Sequence, residues 1–313
     1  MVAFLLRRVL SVVPVLAIVA VLVFLMLRLV PGDPAAIIAG ETATAEQIEQ
    51  TRQHLGLDRS IPVQFAIWIG HVLRGDLGDS YFFRMPVTDL ILQRLEPTMM
   101  LGLAALVLSV AVAVPLGVIA AFRQGTWIDR GVMAVSVAGF SVPVFVLGYS
   151  LAYVFSVQLG WFPVQGYARI ADGFGPFVER LVLPALTLSF VYVALIARIT
   201  RTSVLEVLNE DYVRTARAKG LNEREVVVGH ALRNAAVPIL TIVGIGLGLL
   251  IGGAVVTESV FAIPGLGRLT VEAVLSRDFP VIQALILLFS AGYVLVNLLV
   301  DIGYALLDPR IRY

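Results

Sequence analysis

The chain has 313 residues, 59% hydrophobic and 14% charged, with a mean hydropathy of +0.92 and a net charge of +1. Soluble domains carry roughly 25% charged residues, so this is membrane composition, and the near-neutral balance argues against a nucleic-acid partner. Cysteine is absent, which excludes disulfides, thiol chemistry and Cys-ligated metal sites.

Six segments reach the ~20 apolar residues that a helix needs to cross a hydrocarbon core: 9–30, 98–122, 131–157, 181–201, 235–256 and 280–307. Each mixes Leu, Val, Ile, Ala and Gly without strand alternation. Helices are expected, because lipid offers no hydrogen-bond partner to bare backbone. The fold class read from this pattern is all-α integral membrane, a single transmembrane domain over 1–313.

The first segment follows Arg7 and Arg8, and its apolar run Val9–Leu27 exceeds the ~7–15 residues of a signal-peptide core, so it reads as a retained signal-anchor. The long 31–97 segment is too patterned for a plain linker. Thr44 with Gln47 forms a capping-box signature and Gly56 suits a helix end, which predicts a helix over 45–55. Pro62 opens another, carrying Phe65, Trp68, Ile69, Val72 and Leu73. That face has three possible rests: the membrane interface, the outer ends of the spans, or a partner outside the membrane.

Prolines 115, 143 and 184 can kink their spans. Trp161, Phe162 and Tyr167 read as interface anchors. Ser189 and Tyr192 lie deep in the fourth span and are candidates for a translocation pathway. In the fifth span Gly248 and Gly252 form a small-xxx-small pair that suits tight helix packing, with pore lining as the other reading. Glu258 ends that span. It is either a pathway carboxylate that meets a substrate amine or a cap at the water boundary. Ile263–Gly267 reads as a turn before a short surface helix. Asn297 and Asp301 share a face of the last span, and Asp301 suits a structural ion pair with an arginine.

Between the fourth and fifth spans, 203–236 is a charged island flanked by apolar segments. Leu205, Leu208, Tyr212 and Ala216 recur at helical spacing, which predicts one helix over Val204–Lys219. Gly220 can take the left-handed conformation that ends it. Asn222 with Glu225 predicts the cap of a second helix, and Pro238 reads as the start of the fifth span. The product is helix, turn, helix. One reading is an amphipathic connector on anionic headgroups, with Arg214, Arg217, Lys219, Arg224 and Arg233 touching lipid. The other is a lever gripped by a second protein, with Tyr212 as anchor and Ala216, Ala218 and Gly220 allowing close approach.

Basic residues are unevenly placed. Arg7, Arg8, Arg123, Arg130, Arg198, Arg201, Arg214, Arg217, Lys219, Arg224, Arg233, Arg310 and Arg312 fall on one set of short connections, and only Arg169, Arg180, Arg268 and Arg277 on the other. The first set, the island and both termini are therefore expected in the cytoplasm. The 23 basic residues include a single lysine, Lys219, followed by Gly220. A phosphate-binding P-loop needs Gly-Lys-Ser/Thr, so nucleotide energy, if used, comes from another subunit. His54, His71 and His230 form no ligand cluster, no GxSG-like serine motif occurs, and Asp301 alone cannot serve dyad chemistry.

The island resembles the EAA loop of ABC-importer permeases in its peptide/nickel-group form. Arg214, Thr215, Ala216 and Gly220 hold the motif positions, although two of the three leading letters differ from the general E-A-A pattern. The fuller match is DYVRTARAKGL followed by HALRNA and Pro238. LLRRVL, FLMLRLVPGDPA, RGDLGDS, LVLPALTL, VFAIPGLGRL and LVDIGYALLDPRIRY extend the likeness over the whole chain. The resemblance implies the type I importer permease fold. It also implies a second homologous permease, two cytoplasmic ATPase domains and an extracytoplasmic substrate-binding protein. ATP and magnesium would sit on the ATPase partners, with no cofactor on this chain and no catalysis by it. Residues Glu210, Asp211, Tyr212, Arg214, Thr215, Ala216, Arg217, Ala218, Lys219 and Gly220 would form the ATPase-coupling elbow, stiffly continuous with the fourth span. A bulky charge at Ala216 would then uncouple ATPase from transport and leave the protein in the membrane. Di- or oligopeptides are the implied substrate, with nickel chelates, glutathione, haem, opines or oligosaccharides as alternatives. A non-transporting receptor or scaffold is the reading that hydropathy alone leaves open.

Overall fold

The computed structural model describes residues 2–29, 35–36, 44–54 and 56–307, and the described residues contain no strand. The C-terminal RIRY and the 37–43 stretch lie outside them. Helices in chain order are α1 (Val2–Leu29), α2 (Ala45–His54), α3 (Ile61–Leu73), α4 (Val87–Phe122), α5 (Trp127–Ser141), α6 (Val144–Leu151, continued as a π-helix over Ala152–Gln158), α7 (Phe174–Leu208), α8 (Asp211–Ala218), α9 (Glu223–Glu225, continued as a π-helix over Val226–Ala231), α10 (Leu232–Val260), α11 (Leu266–Leu275) and α12 (Phe279–Leu307). Helices α4, α7, α10 and α12 are each long and apolar enough to cross a membrane, and α5 and α6 reach that length only together, as a bent pair. Helix α1 has 28 residues but a shorter apolar stretch, Leu10–Met26.

The segment 131–157, expected as one span, is two helices bent by 104°. Pro143 causes the break. A residue before proline is pushed out of the helical region, and Val142 stands at φ −88°, ψ 120°. Pro115 and Pro184 lie inside continuous helices that they do not break. Pro238 likewise lies inside α10 rather than at its start.

The chain divides into two compact units. The larger comprises 2–5, 95–268 and 295–307 of the described residues. In it α7 packs most extensively on α10 and next on α5. Leu183, Leu188, Tyr192 and Ile196 of α7 join Leu250 and Ala254 of α10, Leu101 and Ala105 of α4, and Phe261 and Ile263. Lipid tails are as apolar as these side chains, so close packing rather than water exclusion holds spans together. Gly117 shows the consequence, since a Cβ there would stand 2.6 Å from the Ala197 carbonyl oxygen. Where α5 begins, the buried Asp129 takes two hydrogen bonds from Arg201 of α7, the Nη2–Oδ2 one at 2.8 Å, and a third from the Gly125 amide at 2.9 Å.

The other unit holds the described parts of 6–94 together with 269–294. Thr44 and Gln47 exchange the two capping-box bonds, at 2.9 and 3.3 Å, and α2 follows. Pro62 sits in the first turn of α3. The aromatic face of α3 rests on α1: Phe24 of α1 meets Phe65 at 5.2 Å and Trp68 at 5.6 Å between ring centroids. These two rings are therefore covered by another helix of the same unit.

Candidate functional site

The charged island builds an elbow. Helix α7 ends at Leu208, where Asn209 donates its side-chain amide to the Leu205 carbonyl at 3.0 Å. Glu210 then turns extended, at φ −71° and ψ 147°, and α8 starts afresh at Asp211. The single helix expected over Val204–Lys219 is therefore broken at 209–210. The break resets the helical phase and turns Val213 and Ala216 inward, where they pack with Val226 against Val207, Leu208 and Leu221. Little backbone bonding is lost at the break, because the Asn209 and Glu210 amides donate to the Glu206 and Val207 carbonyls, at 3.2 and 3.1 Å.

The turn is fixed by local chemistry. Gly220 has φ +86°, conformational space that only glycine enters cheaply. Its amide donates to the Arg217 carbonyl at 2.9 Å, and the Leu221 amide to the Ala216 carbonyl at 3.3 Å. Those two bonds are a Schellman motif, and the Leu221–Ala216 contact is its usual apolar companion. Asn222 accepts from the Glu225 amide at 2.9 Å while Glu225 accepts from the Asn222 amide at 3.1 Å, which caps α9 as expected. Arg217 closes the elbow with two bonds to the Glu223 carboxylate, at 2.9 and 3.3 Å.

The outer face carries Glu210, Asp211, Tyr212, Arg214, Thr215, Arg217, Ala218, Lys219 and Gly220, all exposed. Arg214 pairs with Asp211 at 3.3 Å, and Thr215 donates to the Asp211 carbonyl at 3.0 Å. Tyr212 is 42% exposed and bonds Asn234, which ties the outer face to the second limb. Partial burial and the neighbouring Glu210 carboxylate push its hydroxyl pKa up, against the opposing effect of the Asn234 bond. Ala216 is only 7% exposed. It was expected beside Ala218 and Gly220 as a point of close approach; instead it belongs to the elbow's own interior. Sequence reading passed over Val213, Val226 and Glu223. The three-residue spacing of Val213 and Ala216 carried the signal for the first, but only with the helix phase restarted at Asp211.

The candidate pathway residues are scattered. Ser189 and Tyr192 are buried inside the larger unit, with the Ser189 hydroxyl donating to the Leu186 carbonyl and its own carbonyl accepting from Ser109. Gly252 is exposed with open space at its Cβ position, and Gly248 is half-buried. Gly246 and Gly253 are the fifth-span glycines that face Tyr192. Glu258 is 0% exposed. Its carboxylate accepts from the Thr98 hydroxyl at 2.6 Å and from the Arg268 amide at 2.9 Å. Thr98 in turn accepts from the Leu266 amide at 2.7 Å. The side chain thus holds the start of α11 and the 263–267 turn, and a Cβ on Gly265 would collide with it. Asp301 is half-buried on α12.

Comparison with known proteins accounts for both halves of the chain. Residues 113–313 match the model of the binding-protein-dependent transport system inner membrane component, and residues 1–102 match that of its N-terminal membrane component. The chain is 53% identical over 310 residues to a probable peptide ABC transporter permease of Sinorhizobium fredii, with 99% of each chain covered. It is 47% identical over 313 residues to the glutathione transport system permease GsiC of Salmonella choleraesuis, covering 100% of each. Among solved structures, an inward-facing MetNI methionine ABC transporter chain superposes with a TM-score of 0.58 at 18% identity, over 70% of this chain and 96% of that one. That likeness shows a shared type I importer permease fold. The chain belongs to the family of binding-protein-dependent transport system inner membrane components.

Proposed function

We propose that this permease is one of two homologous membrane subunits of an ATP-driven importer of di- or oligopeptides, and that its elbow is the seat of a partner ATPase. One observation carries the reading: a short helix with a sealed apolar underside and a solvent-exposed polar outer face, anchored on a 35-residue span. A connector lying on headgroups would turn its apolar side to lipid, whereas here Val213 and Ala216 are spent on the elbow itself. The outer face, from Glu210 to Gly220, is free for a protein groove. The bias of basic residues puts the elbow and both termini in the cytoplasm of a plasma (inner) membrane. ATP and magnesium are bound by the ATPase pair, whose closure pushes α8. Because α8 meets α7 through a two-residue break, the push is passed on by the Val213–Ala216–Val226 cluster and the Arg217–Glu223 clamp rather than by continuous helix.

An extracytoplasmic binding protein delivers the substrate. The relatives named for peptide transport favour peptides, and the 47% identity to a glutathione permease supports a second reading, a tripeptide thiol. The chain has no cysteine, so Ala218→Cys gives a unique thiol. With a short bifunctional reagent it is expected to join the copurifying ATPase, and Val213→Cys is not. Absence of any ATPase adduct from the outer-face position in the purified complex defeats the proposal.

A further inference from the structure

We infer that the groove between the end of α4 and the start of the elbow's second limb binds the headgroup of an anionic phospholipid. The inference rests on α4 as a span and not on the ATPase reading. The groove is a shallow, open depression of about 370 Å³. Its wall is apolar, formed by Val118, Ile119, Phe122 and Val227, and its polar lining is Arg123, Arg224 and Glu223. Glu223 already receives both bonds from Arg217 on the elbow side, which balances its charge. Arg123 and Arg224 are exposed and form no ion pair among the described residues. Two guanidinium groups therefore line one groove whose carboxylate, Glu223, is already bonded to Arg217. Guanidinium forks match phosphate oxygens bidentately.

The depth is right for a headgroup. Ile119 and Phe122 are 46% and 48% exposed in the last turn of a candidate span, and Trp127, 81% exposed, begins the next helix. An exposed tryptophan beside arginines at the end of a span marks the interfacial layer. Ala111, Pro115 and Ile119 lie four residues apart in the last turns of α4 and are all exposed. That ridge leads an acyl chain up to the groove, where the two arginines meet its phosphate. A soluble phosphate would satisfy the arginines but leave the apolar wall and ridge uncovered, so lipid is the occupant that fits both.

The test uses the purified transporter complex in detergent with added phosphatidylglycerol or phosphatidylcholine, read by native mass spectrometry and by thermal shift. Phosphatidylglycerol is expected to be retained and to raise the melting temperature. The R123A/R224A pair should weaken retention by about tenfold or more, the scale of one lost charge-assisted hydrogen bond, while R130A, outside the groove, keeps it. Equal retention of the two lipids, equal loss in R130A, or displacement of the lipid by inorganic phosphate overturns the proposal. So does a complex in which a neighbouring permease covers Ile119 and Phe122 and wild type retains no lipid there.

Discussion

Ser80 and Asp278 stand 198 residues apart and share a 2.5 Å hydrogen bond in which the buried serine hydroxyl donates to the buried carboxylate. The same carboxylate accepts from the Tyr81 and Phe82 amides, at 3.3 and 3.2 Å, and the serine oxygen accepts from the Phe83 amide at 2.8 Å. One carboxylate therefore holds a whole turn of the 31–97 segment. Asp278→Ala leaves three donors without this acceptor and is expected to destabilise the turn by about 3 kcal/mol, from buried donors at about 1 kcal/mol or more each. Hydrogen exchange at the Tyr81 and Phe82 amides should accelerate while α7 amides keep their protection. Unchanged exchange at 81–82 would sink the idea.

Alkaline pH should act on two tyrosines outside the spans. The Tyr81 hydroxyl is pushed up to about 12 by burial first, then by the Asp278 and Asp79 charges. The Tyr167 hydroxyl reaches about 12 through burial and then Glu96, to which it donates at 3.3 Å. An unfolded tyrosine ionises near 10. Between those values the unfolded chain releases protons that the folded chain keeps, so stability falls as pH climbs from about 10 to about 12 and is unaffected below that window. Tyr81→Phe with Tyr167→Phe should flatten this decline in the apparent melting temperature. A wild-type melting temperature that is level across the window would contradict the assignment.

Glu258 should behave as a structural carboxylate. Glu258→Gln keeps the shape and leaves one oxygen for the Arg268 amide, but its NH2 group then meets the Thr98 hydroxyl, which loses the charged acceptor it donates to. The expected cost is about 2 kcal/mol, with lower yield and melting temperature. Gly265→Ala should do the same from the other side by driving a methyl group into the carboxylate. If Glu258→Gln leaves the melting temperature intact and changes only the affinity for transported substrate, the carboxylate belongs to the pathway after all.

Local chemistry was legible in the chain, and tertiary burial was not. Thr44 with Gln47, Pro62, Gly220 and Asn222 with Glu225 each act within four residues, so their helix ends follow from composition. The Pro143 break has the same origin. The interruption at Asn209–Glu210 has no comparable signal, because it is stabilised by Val213 and Ala216 finding Val226 beyond the turn. Glu258 at the end of a span looks like a boundary residue until Gly265 and Thr98 fold over it. Gly248 and Gly252 share spacing with packing glycines, yet the ones facing Tyr192 are Gly246 and Gly253. Periodicity reports that a face exists and does not say which neighbour reaches it.

The elbow offers the sharpest contrast, between two alanines two residues apart. Ala216 packs in the interior with Val213 and Val226, and Ala218 is on the open face. Ala216→Glu places an unpaired charge among apolar side chains, a loss on the order of 3 kcal/mol, so the elbow itself should come apart, with reduced abundance and melting temperature. Ala218→Glu buries nothing and should change stability by no more than about 0.5 kcal/mol. If the outer face seats an ATPase, that variant should still lose most substrate-stimulated ATP hydrolysis and uptake in proteoliposomes. Tyr212→Ala should share its phenotype, with some loss of stability from the missing Asn234 bond. The reverse pattern, a stable but uncoupled Ala216→Glu beside a fully active Ala218→Glu, would mean that the partner approaches from the side now occupied by Val226.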